Sequence, residues 1–541
     1  MNNKSIKNIE TAKNLLAQAK QLKKQDKIIA ATNILLKAKK LDPNNLHIWE
    51  FLALYKRFAG DSESAMQMID KAVKLAEQQG NIAEEVVAKE LYLKTIYYLN
   101  PPNLTPQLIQ KSCKLYADAI HKIYTPKYNF DKLIKIFHKQ KNKHLKIGLV
   151  GGDFKQHAVH FFIQDLIEFF NFKNINGSTY KSIEIYIYMT ADDEDHITAE
   201  IRKSCRVYRK VDKLNYRQIA DLIFADGIHI LVDLANHTSY NRLPSFALKP
   251  APIQCSWMGV PTTSGLNEVD YFFADEFCMP SQNNNTKFEF TEKIYRFPNI
   301  WECFTPNQTD GLICNEIAQQ IFQKTQMPVN KNGYITFCNF SNTFKLTAST
   351  IKLWAKILQE IPTAKLILFR SFYDEAELRS LFLSKFAEQS KNILQRIQFL
   401  GRQNANQYFQ ILDGVDLILE TFPVSGMTTT AESLYLGIPT LTLLGDFMPS
   451  RCSGTCINAI GDKNLNDLLI CETPEKYINQ AVYFANNPQV LDEVHQTLQK
   501  KVRKSPLCDS ELFAKNFEKS MWQIWNEFLE KNQQNQQNQQ K

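Results

Sequence analysis

The sequence predicts an α/β protein: two Rossmann-like halves in tandem, preceded by a short all-α tetratricopeptide-like domain. Three observations carry that prediction. Small and apolar residues near the N-terminus recur at a spacing of 34 residues. From Leu145 onward, strand-length apolar runs alternate with helical stretches. The same alternation restarts after residue 330.

Composition narrows the class. A chain of 541 residues has room for several domains with cores of ordinary size. Its 44% hydrophobic and 22% charged residues are those of a globular protein in water. The net charge of +8 is mild for this length, and no dense Lys/Arg run is interleaved with aromatics, so no nucleic-acid partner is expected. The first thirty residues are polar and Lys-rich, without the apolar core of a secretory signal. No apolar run approaches the ~20 residues of a membrane span. Eleven cysteines, an odd number and singly scattered, fit a reducing compartment, and a cytoplasmic location is expected. Cys452 and Cys456 form a close pair, but no second pair or His cluster completes a zinc site.

Residues 1–125 read as helical. Ala31, Leu35 and Ala38 recur as Ala65, Ile69 and Ala72, while Trp49, Leu52 and Ala53 supply the first helix of the second unit. Leu41-Asp42-Pro43 closes the unit before it, and residues 83–99 extend the stack in degenerate form. Small residues let paired helices approach, and larger ones fill the groove between them. Such a solenoid either binds protein acceptors or serves as a helical support for the catalytic halves. Asn100-Pro101-Pro102 marks a turn, and residues 126–143, Lys-rich at their end, read as a linker.

The first Rossmann-like half spans residues 144–326. Its strands are expected at Leu145–Val150, Ile183–Met189, Cys205–Val211, Ile228–Leu234 and Ile253–Met258, with a helix from Val159 to Phe170. The second half spans 327–531, with strands at Tyr334–Phe340, Ala364–Phe369 and Ile397–Leu400 and helices over 347–360, 375–389 and 404–414. A last helix is expected over Glu511–Leu529, and the polar low-complexity tail 532–541 is expected to be disordered.

Within the second half, Val415–Leu444 forms a unit of its own. Val415–Glu420 and Pro439–Leu444 have the length and apolar character of strands, and Thr428–Leu436 has helical spacing through Ala431, Leu434 and Tyr435. Pro423 and Gly426 lie in the loop before the helix, and Gly437 followed by Pro439 ends it. Three threonines open this helix, where unpaired backbone N–H groups and the dipole favour a phosphate. Glu432 sits on its first turn, placed to accept from a ribose. An ordinary capped helix would look similar.

The segment LETFPVSGMTTTAESLYLGIPTLTL resembles the signature of glycosyltransferase family 41, which holds the O-linked N-acetylglucosamine transferases of proteins and the SPINDLY-type protein O-fucosyltransferases. The resemblance covers residues 144–527 and, more loosely, the repeats. It implies the GT-B architecture, with donor and acceptor meeting in a cleft between the halves.

The resemblance also implies roles for particular residues. Asn339–Lys345 resembles the motif ending in the lysine that binds the donor's β-phosphate, here Lys345, with Asn342 as an amide near the donor. Gln403, Asn404 and Ala405 fall where the backbone reads the nucleoside base. Tyr408 falls where the N-acetylglucosamine transferases pack a His on uracil, and Tyr stacks equally well. Met427 replaces the His before the threonine pair Thr428 and Thr429, and Glu432 replaces a ribose-binding Asp, matching the SPINDLY type. In the first half, Gly151–His157 resembles the motif whose His, here His157, positions or deprotonates the acceptor hydroxyl; His160 is the weaker candidate. The stretch 226–265 resembles the family over its longest run. Its ionisable members Asp226, His229, Asp233 and His237 are expected to support the acceptor side.

The expected reaction is an inverting transfer of one sugar to Ser or Thr of proteins recruited by the cleft and the helical repeats. A UDP-sugar, with UDP-N-acetylglucosamine first, or a GDP-sugar would be the donor. Action on Asn, a non-protein acceptor, or an inactive repeat scaffold are the other readings. No cofactor and no metal are expected. The acidic run Asp192–Asp195 resembles the metal-holding cluster of other glycosyltransferases, but it reads as a solvated loop.

Overall fold

A computed structural model describes residues 3–100, 102–141, 143–170, 182–281, 290–306 and 311–540. The chain divides into two compact units. One joins Met1–Ser112 to Pro306–Lys504, and the other joins Cys113–Thr305 to Ser505–Lys541. The helical repeats therefore belong to the same unit as the second sheet, and the boundary near Thr305 lies well before the expected one at 326. Residues 311–322 explain the shift: Gln319 Nε2 donates to the carbonyls of Leu312 and Ile313, and Asn315 Nδ2 donates to Asn406 Oδ1 at 2.7 Å.

In the unit Cys113–Thr305 with Ser505–Lys541, seven parallel strands run β1 Leu145–Gly151, β2 Ile183–Met189, β3 Val207–Lys210, β4 Ile230–Asp233, β5 Ile253–Ser256, β6 Tyr271–Asp275 and β7 Lys293–Phe297. Their order across the sheet is β3-β2-β1-β4-β5-β6-β7. The sequence reading missed β6 and β7, whose aromatic-rich runs Tyr271-Phe272-Phe273 and Ile294-Tyr295 are separated by no clear helix. Strands buried on both faces read as continuous apolar runs, which explains why β1, β2 and β4 were legible. The expected linker 126–143 instead contains a helix, Asp131–Lys139. Its Phe137 is buried against His229 and Trp525, with ring centroids 5.3 and 5.2 Å apart; the abundant lysines hid that apolar stripe. The terminal helix, Ser510–Gln540, packs Phe513 and Phe517 on Trp257 and Phe297. The tail expected to be disordered continues this helix, because Gln propagates a helix well and no Gly or Pro interrupts it.

In the other unit the strands are β8 Thr336–Asn339, β9 Lys365–Phe369, β10 Ile397–Leu400, β11 Leu417–Leu419, β12 Thr440–Leu443 and β13 Ile470–Cys471. They are parallel in the order β10-β9-β8-β11-β12-β13, the doubly wound order in which the progression of strands reverses between β8 and β11. The helices α1 Asn3–Lys24, α2 Ile28–Leu41, α3 Leu46–Phe58, α4 Ser62–Gln79 and α5 Ile82–Ile96 each pack on the next in chain order. All six residues of the repeat, on α2 and α4, are fully buried. Two parallel-sheet Rossmann-like halves with an N-terminal helical region make this a GT-B fold.

Candidate functional site

In an open parallel sheet, ligands gather beyond the carboxyl ends of the strands at the point where strand order reverses. In the sheet of β8 to β13 that point lies between β8 and β11. Asn339, the last residue of β8, ties the two together: its Nδ2 donates to Leu419 O at 2.8 Å and its Oδ1 accepts from Ser341 N at 2.9 Å. The chain then enters one tight turn, Thr343–Lys345. Lys345 Nζ donates to the carbonyl of Ser425 at 2.7 Å, linking the loop after β8 to the loop after β11. Burial lowers the lysine pKa, opposed by the nearby Glu420 carboxylate. Among the described residues the buried Asn342 Oδ1 has no hydrogen-bond partner.

Glu420 organises the second loop. It is buried, with its Oε1 accepting from Thr421 N at 2.8 Å, while Thr430 Oγ1 and Ser453 Oγ each lie 2.9 Å from its Oε2. Ser341 Oγ approaches from the β8 side at 3.4 Å. A Cβ on Gly426 would meet Thr429 Oγ1 at 2.3 Å and Glu420 Oε2 at 2.8 Å, so a larger residue would displace these side chains. The helix Thr428–Tyr435 follows, its first intrahelical bond running from Ala431 N to Met427 O. Met427 supplies no side-chain cap; its sulfur lies 3.3 Å from Cys456 Sγ. Thr428 and Thr429 are half-exposed at this uncapped start, and Thr430 is buried. A cationic side chain beside open helix amides suits an anion.

Further along the same edge, Tyr408 hydrogen-bonds Glu432 through its hydroxyl, and burial and that carboxylate push the phenol pKa well up. The Tyr408 ring is half-buried, 6.0 Å from Phe340 and 5.7 Å from Phe369. Glu432 is the fifth residue of its helix, one turn in rather than on the first turn. Asn404 caps the helix Ala405–Asp413 in a reciprocal capping box with Gln407, so its side chain is engaged by its own backbone. Gln403 Nε2 reaches Gly401 O at 3.4 Å, and Ala405 is exposed. Arg370, the residue after β9, is half-buried near Tyr408 and Glu432 and donates to Phe340 O. Sequence reasoning gave no role to Glu420, Ser453 or Arg370. A charged residue closing a buried apolar strand was the available signal for Glu420 and Arg370; Ser453 carried none.

The other unit has the corresponding point between β1 and β4, paired in register through Val150 and Asp233. His157 lies in the loop after β1, its ring 47% exposed, with Nδ1 3.6 Å from Asp153 Oδ1. Surrounding protein lowers its pKa, with Asp153 opposing. His160 is buried and its Nδ1 lies 2.6 Å from the His157 carbonyl, a structural contact that orients the loop. Asp233 ends β4 and accepts from the amides of Ala235 and Asn236 at 3.2 and 2.7 Å. His237 is buried, with Nε2 3.0 Å from Thr263 O. These two share the His157 edge of the sheet.

Asp226 and His229 correct the sequence reading, because they precede β4 and lie at the opposite end of the strands. Asp226 accepts from Tyr188 and Arg209. His229 Nδ1 accepts from Lys146 N at 2.9 Å, and burial takes its pKa down to about 3. Both hold the fold. The acidic run is likewise structural rather than merely solvated: Asp193 pairs with Lys155 at 2.6 Å, Glu194 with Arg202 at 2.7 Å, and Asp195 caps the next helix. His47, Glu50 and Glu84 also cluster. The imidazole bridges them, with Nδ1 3.0 Å from Glu50 and Nε2 3.6 Å from Glu84, which occupies both ring nitrogens.

No helix among the described residues is long and apolar enough to cross a membrane. The family model described as Glycosyl transferase family 41 matches residues 95–309 and 308–517. The Solanum lycopersicum protein named "Probable UDP-N-acetylglucosamine–peptide N-acetylglucosaminyltransferase SPINDLY" is 29% identical over 388 residues, covering 71% of this chain and 39% of that protein. The Caenorhabditis elegans UDP-N-acetylglucosamine–peptide N-acetylglucosaminyltransferase is 22% identical over 528 residues, covering 77% and 44%. The chain thus spans about two fifths of the length of these relatives. A lysine-to-methionine variant of the Thermobaculum terrenum O-GlcNAc transferase superposes with a TM-score of 0.70 at 21% identity, covering 97% of this chain and 99% of that one, and shares the fold.

Proposed function

Given that the chain belongs to glycosyl transferase family 41, we propose that it transfers a single sugar from a nucleotide sugar to Ser or Thr side chains of proteins. The observation that carries this reading is the junction at β8 and β11, where Lys345 meets the loop leading into the open helix start at Thr428. There Lys345 and the helix amides stabilise the departing diphosphate without a metal. Glu432, aligned by Tyr408, holds the ribose. His157, its pKa lowered so that the imidazole is neutral near pH 7, accepts the proton of the acceptor hydroxyl. The hydroxyl oxygen bonds to the anomeric carbon as the carbon–phosphate oxygen bond breaks, with inversion.

UDP-N-acetylglucosamine is the proposed donor, supported by the names of the relatives. The Thr428–Ser433 run with Glu432 favours a second reading, a GDP-fucose donor of the SPINDLY type. Incubation with each labelled donor and a cell protein extract, followed by mass analysis of modified peptides, tests both. Calorimetry with UDP and GDP decides the base: GDP binding at least about tenfold tighter, a gap of about 1.4 kcal/mol, overturns the UDP assignment.

A further inference from the structure

The helical repeats and the β8 loop belong to one compact unit, and the tip of α3 touches the turn that carries Lys345. We propose that the C-terminal tip of α3, through Arg57, Phe58 and Gly60, is a positioning element for Lys345, so that the repeats form part of the nucleotide-sugar site. This rests on the reading that Lys345 contacts the donor diphosphate.

The last carbonyls of a helix lack intrahelical partners. In α3 the Phe58 carbonyl accepts from Thr343 Oγ1 at 2.7 Å, two residues before Lys345. Phe344, between them, is gripped from three sides. Its ring meets Phe58 edge-on at 5.5 Å and Tyr98 at 5.0 Å, and the Arg57 guanidinium lies over it at 5.4 Å. Arg57 is only 9% exposed and also covers Tyr98, so aromatic faces hold this buried cation. Lys385 Nζ takes the next carbonyls, Ala59 and Gly60, at 2.8 and 3.0 Å. Gly60 has a φ of +66°, and a Cβ there would meet the Leu346 carbonyl at 2.6 Å. The turn therefore closes directly on the helix tip.

Two flanking contacts fix the helices to the same strand ends. Asn100 Oδ1 accepts from Ser349 N at 3.0 Å, at the start of the helix Ala348–Glu360 that comes after the turn. The start of α2, which has no side-chain cap of its own, is capped by Glu375, whose two oxygens accept from Ile29 N and Ala30 N at 2.9 Å. A module that only recruited acceptors would not need to hold the donor lysine in this way.

The test uses the full chain and the pair Thr343→Val and Thr343→Ser. Valine keeps the shape and loses the hydroxyl, whereas serine retains it. We expect Thr343→Val to lower kcat for donor hydrolysis and for protein glycosylation together, roughly tenfold or more, in a chain that still unfolds in one cooperative transition, at a midpoint lowered by the unmet Phe58 carbonyl, and Thr343→Ser to restore both activities. Full kcat in folded Thr343→Val, or a loss confined to transfer onto folded proteins, overturns the proposal. If Thr343→Val does not fold, Arg57→Met, which keeps the stem and removes the planar cation, is measured against the same outcomes. Lys345→Ala run in parallel separates the two claims. Full activity in that variant removes the phosphate-site reading itself; impairment there with active Thr343→Val removes only the positioning role.

Discussion

Replacing Lys345 by alanine removes a half-buried ammonium that bridges the loops after β8 and β11. Its surroundings give the substitution two separable effects. The Ser425 carbonyl loses its 2.7 Å donor, and an unmet acceptor beside a buried residue costs about 1–3 kcal/mol of stability. Domains of ordinary stability, about 5–15 kcal/mol, survive that. The effect on the reaction is larger in consequence, because the cation matters most when charge builds on the leaving diphosphate. Loss of one such contact typically removes about 2–4 kcal/mol of transition-state stabilisation, or roughly 30- to 1,000-fold in rate. Steady-state turnover at saturating donor, a urea titration and calorimetry with the nucleoside diphosphate measure the three quantities. The expected pattern is a cooperative unfolding transition at a lower midpoint, weaker nucleotide binding and a kcat reduced within that range. A folded Lys345→Ala protein with near wild-type kcat would refute the assignment.

Three further outcomes rest on named contacts. Gly426→Ala places a Cβ 2.3 Å from Thr429 Oγ1; the overpacked loop should lose about 1–3 kcal/mol of stability and weaken nucleotide binding, read by urea midpoints and calorimetry. Tyr408→Phe removes the hydroxyl bonded to Glu432 and should weaken UDP binding by about 0.5–1.5 kcal/mol; unchanged affinity would show that Glu432 needs no alignment. Burial and the neighbouring Asp275 carboxylate raise the pKa of Glu302 to about 8. Its unfolded counterpart ionises near 4.5, so between those values the folded chain keeps a proton that the unfolded chain has released. Stability then falls by about 1.4 kcal/mol per pH unit as pH rises through that window. Glu302→Gln should remove that slope, and parallel urea midpoints for the two proteins from pH 5 to 8 would contradict it.

The backbone frame of the candidate site was legible because periodicity and strand ends are written locally. The apolar run before Glu420, the threonine triplet and the Gly437-Ile438-Pro439 stop placed the helix start within a residue of where it lies. The roles that failed were those that depend on which end of a strand a residue occupies. Asp226 and His229 stand at the amino end of β4, as they do in the expected strand Ile228–Leu234, so being near a strand end did not by itself say which edge of the sheet they occupy. His229, with its Nδ1 on Lys146 N and its ring against Trp525, is a core histidine. Long-range capture hid the rest. Nothing local marks Glu375 as the cap of a helix that lies more than 340 residues earlier, or Ser453 as a partner of Glu420.

Base choice was hidden for a different physical reason. The side chain of Asn404 is closed on Gln407, and Ala405 offers only its main chain. What remains for a base at that edge is peptide N–H and C=O, which every residue type supplies. Tyr408 adds an aromatic face, on which uracil and guanine stack alike, and a hydroxyl held by Glu432. On the proposed reading, base choice then turns on the backbone at Gln403, the Tyr408 ring and Arg370, whose guanidinium already serves Phe340 O. Phe340, Phe369 and Phe409 pack around that ring and fix its position. Substituting Phe369 by leucine should therefore change the ratio of UDP to GDP affinity while leaving the contribution of Lys345 to either nucleotide intact. Calorimetric affinities of both nucleotides, with and without Lys345→Ala, test that separation. An unchanged ratio would place base selection elsewhere on the β10 edge.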